Sequence, residues 1–472
     1  MAARRKGLVI PHSIPFTSAP MSFVQRLKIE AEDTLRYHPA VRSLLCEVEL
    51  LKDRTPPAAD PQAIARSIVR LCAAARLAES QPQLLKVEAR IAERMQLLDR
   101  RPVDLAEFGP SSSLEMPGVD YFVPLKPYVS EREKGVCYIA FEHRWARLVH
   151  QYRAQLEAFA KRYLLIVHPV WATPHGLINY YLPAIWPGDD PVFACVSDPH
   201  DLETLPRQSP RYVVIPRYCS HWVNPAVYPQ VPFAQKNIDI VMLANFGKYK
   251  RHFALFKALR EMPRTVKVVC IGQHNDQRTR EVLLAEAAAY GVADRFELKE
   301  NAPDTVVFDC MARAKVNLIL SKREGSCIAL VEAMFANTPS GMLQDAEVGS
   351  RVFINEHTGR FLSDDNLGAQ LMDFIADAGK FAPRQWMLEQ KHDCHGSSAV
   401  MNEVIKRTML ARGQDWTTDL CPLHWRPVPQ FLRPEDRGPM QATYEDIRNH
   451  IGIQMERRTT KRDGQVRHGG RN

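Results

Sequence analysis

From residue 237 to residue 362 the chain alternates short apolar runs with amphipathic stretches, without a long interruption. "NIDIVMLANFG" leads to "RHFALFKALREM", then come "VKVVCIGQ", "DQRTREVLLAEAAAYG", the short "RFEL", "TVVFDCMARA" and "KVNLIL". Apolar runs of this length read as strands and the periodic stretches as helices, an order that predicts a parallel sheet with crossover helices. "KVNLIL" is apolar on almost every consecutive residue, as expected where helices cover both faces of a sheet. This pattern constrains the chain more than any other, because parallel strands need long crossovers and bind ligands at their carboxyl ends.

A second, less regular alternation lies upstream: "GVCYIAFE", "WARLVHQYRAQLEAFAKR", "YLLIVHPVW", "PVFACVSD" and "RYVVIP". The proline-punctuated "PRYCSHWVNPAVYPQVPFAQ" reads as the linker between the two units. Before both, "FVQRLKIEAEDTLRYHPAVRSLLCEVELL" and "PQAIARSIVRLCAAARLAE" carry apolar residues at helical spacing and are separated by "KDRTPPAADP". The expected fold is therefore α/β, with two Rossmann-like lobes behind an N-terminal helical extension. The boundaries read as a helical extension over 1–115, a first lobe over 116–235 and a second over 236–385. A helix and a proline-rich segment over 386–450 pack back, and 451–472 form a basic, disordered tail.

At 472 residues the chain is long enough for two or three domains. No apolar run approaches the roughly 20 residues of a membrane span, and the basic start "MAARRKGLVIPHS" lacks a secretory core and cleavage site. The ten cysteines are scattered, with no C-x-x-C pair, which fits buried thiols in a reducing cytoplasm. Net charge is +8, and the last 22 residues supply +4 of it. Such a tail allows weak contact with acidic lipid at the inner face of a membrane. It carries no interleaved aromatics, so no specific nucleic-acid binding is expected.

The densest chemistry lies in "SKREGSCIALVEAMFANTPSG", residues 321–341. "SKREG" reads as a turn after the buried strand, and Ser326 as the N-cap of a helix that Pro339 ends. Gly325 allows close approach of a ligand, and the free amides of Ser326, Cys327 and Ile328 offer an anion site. Glu332 stands in an otherwise apolar helix, a costly position unless something binds its carboxylate. A pair of sugar hydroxyls would do so. The alternative is that Glu332 points along a narrow exposed stripe with Ala329, Ala333 and Ala336.

Strand, "EGSCIALVE", "AMFANTP", "VGS" and "HTGRFL" together resemble the nucleotide-sugar lobe of retaining GT-B glycosyltransferases, the group 1 type with an E-x7-E motif. The resemblance runs through roughly 236–385, with Glu324 and Glu332 at the motif's spacing. It implies that Glu332 binds the ribose hydroxyls of a nucleotide and that Glu324 touches the donor sugar. The amides after Gly325 would hold the diphosphate. "LANFGKYKRH" occupies the place of the family's diphosphate-gripping loop. Lys250 matches its lysine, whereas Asn245 replaces its arginine, leaving Lys248 or Arg251 to supply the missing charge. Asn337 replaces the glycine at the helix end, a mild change because Asn also accepts the left-handed conformation.

In the first lobe His168, at a strand end, is the candidate for a catalytic role, with His175 and His200 as further cleft-lining candidates. The resemblance further implies a donor that is a nucleotide-diphosphate sugar and an acceptor that is a carbohydrate, lipid-linked or protein group. It implies no further cofactor, no metal and a cytoplasmic enzyme. Two other readings use the same lobes: a scaffold without turnover, and a nucleotide-sugar epimerase, which would need acid/base carboxylates in the first lobe.

Overall fold

The computed structural model describes residues 23–108, 114–169, 175–275, 278–425 and 428–455. The basic tail therefore lies almost wholly outside the described residues. The expected α/β architecture of two Rossmann-like lobes behind helices is present, but the two sheets are wound differently.

The second lobe has six parallel strands: β6 (Ile238–Leu243), β7 (Val268–Gly272), β8 (Glu297–Glu300), β9 (Ala314–Ile319), β11 (Ser340–Leu343) and β13 (Gly359–Leu362). Their order is β13-β11-β9-β6-β7-β8. The chain winds outward from β6 in one direction and then, from β9, in the other. Right-handed crossovers consequently place helices on both faces, so the strand "KVNLIL" is buried at nearly every residue. The direction reverses between β6 and β9, and a crevice opens there at the carboxyl ends of the strands. A two-residue parallel pair, β10 (Arg323–Glu324) and β12 (Glu347–Val348), extends its rim.

The first lobe has five strands in simple sequence order: β1 (Phe122–Lys126), β2 (Gly135–Ala140), β3 (Tyr163–His168), β4 (Val192–Val196) and β5 (Tyr212–Tyr218). Only β1 is antiparallel. Every crossover from β2 to β5 steps the same way, so right-handedness puts all the connecting helices on one face. The residues alternate accordingly. Cys137, Ile139, Leu165 and Val167 enter the helix-covered core, and Val136, Tyr138, Leu164 and Ile166 face the other way. That second face is covered by the end of the chain. Met401, Ile405 and Met409 of the helix Cys394–Ala411, then Leu423, Trp425, Phe431 and Met440, complete its core.

Two chain crossings join the lobes, and they are tied together. His221 and His392 are hydrogen-bonded at 3.1 Å, Ser397 Oγ donates to the His221 carbonyl at 3.0 Å, and the Cys394 amide donates to Val223 O at 3.1 Å.

The extension consists of α1 (Phe23–Tyr37), α2 (Pro39–Lys52), α3 (Pro61–Ala75) and α4 (Gln81–Leu98). The first apolar-periodic stretch is thus two helices. Proline has no amide hydrogen to continue a helix but suits a first turn, and Pro39 opens α2. Helices α2 to α4 share one core with the first lobe. Helix α1 fully buries no residue; Ile29 packs against the core of the second lobe, and the other contacts are polar. Glu30 pairs with Lys257 at 3.0 Å, Glu32 with Lys248 at 3.1 Å and Asp33 with Arg251 at 2.9 Å. Arg323 of the second lobe also pairs with Glu79 at 2.8 Å, so the extension touches both lobes.

Candidate active site

The loops after β6 and β9 bring Lys250 and Glu324 together at the switch point. Both side chains are mostly buried, 13% exposed each, and form an ion pair. Burial works against the Lys250 ammonium, but Cys327, Glu324 and Tyr249 outweigh it and hold the lysine pKa above its ordinary value. The lysine is firmly a cation. Glu324 Oε1 is buried with no hydrogen-bond partner among the described residues, a costly state for a carboxylate oxygen in a dry site. A carboxylate thus sits beside the cation that the family resemblance assigns to a diphosphate.

The helix Ile328–Phe335 begins directly after this pair. Its first amides have no partner inside the helix. The sequence reading of Ser326 as N-cap does not hold. Cys327 is the capping residue, in the left-handed region at φ 48, and no side chain caps the helix. Ser326 turns instead toward the lobe junction, where its Oγ is 2.7 Å from Ser220 Oγ and accepts from the Ser220 amide at 3.1 Å. At the helix end, Asn337 takes φ 55, the left-handed conformation in which it stands in for glycine.

Glu332 is 4% exposed, so it does not lie on an exposed stripe. Its Oε1 accepts a hydrogen bond from Tyr228 Oη at 2.9 Å. Tyr228 comes from the interlobe linker, and its ring packs 4.7 Å from that of Phe308. Sequence reasoning missed this tyrosine, and nothing in "NPAVYPQ" singles it out from the other linker residues.

The basic loop divides unevenly. Lys250 alone reaches Glu324. Arg251 is not available as a replacement for the arginine that Asn245 displaces. Its own left-handed backbone, φ 54, accompanies a guanidinium that clamps Asp364 through two bonds of 2.9 Å and also pairs with Asp33. Lys248 is exposed and pairs with Glu32. Asn245 closes its own loop, accepting from the Gly247 amide at 3.1 Å and donating to Tyr249 Oη at 2.8 Å. Asp364, from "SDDN", additionally holds Lys322 at 3.1 Å, so this polar turn is an ion-pair node.

The first-lobe histidines do not converge on the crevice. His168 is 1% exposed, hydrogen-bonded to Tyr138 and set edge-on to Trp222 and Trp425. Burial pushes its pKa down to about 3, so its ring is neutral near pH 7 and belongs to the core in this conformation. The reason is the C-terminal chain, whose Trp425 roofs the end of β3. His175 is bonded to Glu88 of α4 at 3.0 Å, and His200 is exposed at the start of the helix Asp201–Gln208. The lobes themselves touch: a Cβ on Gly349 would lie 1.9 Å from the Ser197 carbonyl oxygen. Only glycine permits that approach.

A family model described as "Glycosyl transferases group 1" matches residues 226–379, the segment that carries Lys250, Glu324 and Glu332. Solved structures with a similar chain path include sucrose-phosphate synthase from Thermosynechococcus elongatus, 16% identical over 58% of this chain and 74% of that one, with a TM-score of 0.47. A mutant of TarM from S. aureus, solved with fondaparinux, α-GlcNAc-glycerol and UDP, is 12% identical over 58% of this chain and 55% of its own, at a TM-score of 0.44. Anabaena Alr3699/HepE in complex with UDP is 14% identical over 69% of this chain and 89% of its own, at 0.45. None of the curated proteins compared with the chain matches it in sequence. The switch-point lobe, over residues 226–379, is thus a domain of the glycosyl transferases group 1 family, and it is set against a second α/β lobe.

Proposed function

We propose that the protein transfers a sugar from a nucleotide-diphosphate sugar to an acceptor hydroxyl, with retention of configuration and without a metal. The observation that carries this is the Lys250–Glu324 pair, buried at the switch point beside the start of the helix that bears Glu332. The donor's diphosphate lies along Lys250 and the amides after Gly325, which offset the charge that builds up as the sugar leaves. Glu324 gives up the lysine to the diphosphate and turns its carboxylate to the sugar. Glu332 holds the ribose hydroxyls. The bond between the anomeric carbon and the phosphate oxygen breaks, the acceptor oxygen bonds to that carbon on the same face, and the acceptor proton passes to the departing phosphate. No first-lobe base is then required, in keeping with a core position for His168. The acceptor is a carbohydrate, lipid-linked or protein group. No helix among the described residues is long and apolar enough to cross a membrane.

The test is a thermal-shift screen against UDP, GDP, ADP and their sugars, with and without EDTA, followed by transfer assays with the nucleotide that stabilises. A ligand present at 100 times its Kd stabilises by about 2.7 kcal/mol. Glu332→Gln should lose that response while keeping the melting temperature of the free protein. A response that needs a divalent ion rejects the metal-free reading, and no response to any nucleotide favours a scaffold.

A further inference from the structure

An amphipathic helix on a globular surface ordinarily turns its apolar stripe inward. Helix α1 turns only Ile29 of its large aliphatic side chains toward the second lobe's core. Its three acids, Glu30, Glu32 and Asp33, all face the second lobe and are paired with Lys257, Lys248 and Arg251. Its outer side carries Phe23, Val24, Leu27 and Leu35, exposed to 63%, 69%, 51% and 58%. After the single residue His38, the next helix continues the theme: Leu44 is 64%, Leu45 45% and Leu51 83% exposed. Seven of the sixteen large apolar side chains exposed among the described residues thus lie between Phe23 and Leu51. Scattered exposed leucines need no explanation, but a concentration of this kind marks an interaction surface.

The charges select the partner. The exposed charged residues on these two helices are Lys28, Arg36 and Lys52, all cations, whereas the acids are half-buried and occupied. On α2, Glu47 is held by Lys86 at 2.9 Å and Glu49 by Lys52 at 2.9 Å. Leucines and a phenylalanine flanked by lysine and arginine, with the acids turned away, fit the interface of an anionic bilayer. We infer that the outer face of α1 and α2 docks on a membrane surface carrying acidic lipid, with α1 held between bilayer and second lobe. The inference does not rest on sugar transfer and concerns a surface separate from the C-terminal tail.

The experiment is co-sedimentation of the full chain with vesicles of phosphatidylcholine alone, or of equal parts phosphatidylcholine and phosphatidylglycerol. The intact protein should partition onto the anionic vesicles and much less onto the neutral ones. Leu27→Glu with Leu35→Glu should weaken partitioning more than about ten-fold, since each change removes an apolar side chain from the bilayer and puts a negative charge in its place. Lys28→Glu with Arg36→Glu should weaken it at least about five-fold per residue. Both pairs are exposed, so the melting temperature should hold. Should the leucine variant melt early, Phe23→Trp gives an independent readout, because brominated lipid will quench its emission only if the start of α1 enters the bilayer. Absence of binding to anionic vesicles overturns the inference. So does binding that the leucine variant leaves unchanged, or a dimer in solution that the same variant dissociates, which would assign the face to a second copy of the chain.

Discussion

The two lobes are built from the same kind of strand and helix, yet only one of them has a switch point. In the second lobe the strand order reverses between β6 and β9, and the loops that diverge there hold Lys250 and Glu324. In the first lobe the strands run in one direction across the sheet, its helices share one face, and the segment from Met401 to Met440 must return to cover the other. Strand order alone therefore assigns chemistry to the second lobe. The first contributes a wall: Ser197 against Gly349, and Ser220 against Ser326.

Substitutions should separate the two lobes accordingly. Lys250→Ala removes the buried cation and should lower turnover by about 10²–10³-fold, the cost of losing one charge-stabilising group. Its melting temperature should fall as well, because Glu324 is left buried without its cation, and a steady-state assay beside a melt reads both. Trp425→Ala strikes the first lobe. It empties the space between Tyr138, Phe141 and His168 and should cost about 3–5 kcal/mol of stability in denaturant unfolding. If this change left stability intact, the C-terminal chain would not be the first lobe's missing layer.

Asp201 gives a test by pH. It is 3% exposed, and burial raises its pKa from 3.8 to about 7. Between those values the folded protein holds a proton that the unfolded chain releases, so this group's contribution to stability falls as pH rises from about 4 to about 7. Asp201→Asn keeps an acceptor for the Ser197 and Asp198 amides and carries no charge to bury. The variant should be more stable than its parent above pH 7, by up to about 4 kcal/mol, with the gap closing toward pH 4. The smallest effect belongs to Tyr228→Phe, which removes the hydroxyl that holds Glu332 and leaves the ring. Donor KM should rise about five-fold, the worth of an ordinary hydrogen bond, with kcat little changed. An unchanged KM would mean that the tyrosine merely satisfies a buried acid.

Much of the second lobe could be read from its residues, because its inner strands are largely apolar and buried and its helices alternate with them. Glu324 and Lys250 were each singled out by a motif, one for the sugar and one for the diphosphate, and their contact with each other is seen only in the structure. The winding of the first lobe was not readable, since strand order is a property of the whole sheet and leaves no mark on any one strand. Its bare face explains why "CPLHWRPVPQF" is rich in aromatics and proline, a composition that suggested an irregular segment without indicating where it lies. Lys250 and Arg251 look equivalent as neighbouring cations. A single left-handed residue sends the second to Asp33 and Asp364. The partner of Glu332 lies 104 positions away, beyond any local pattern.

Helix α1 grips one lobe while α2 to α4 share a core with the other. Any rotation that parts the lobes must therefore bend the chain at His38 or detach α1 from its pairs. Lys248–Glu32 and Lys257–Glu30 are substantially exposed and contribute only about 0.2–1 kcal/mol each, less as ions screen them. Asp33–Arg251 is buried and resists screening. The ease with which the cleft opens is then a function of ionic strength: salt loosens the outer fastenings, and the buried pair sets how far that loosening can go.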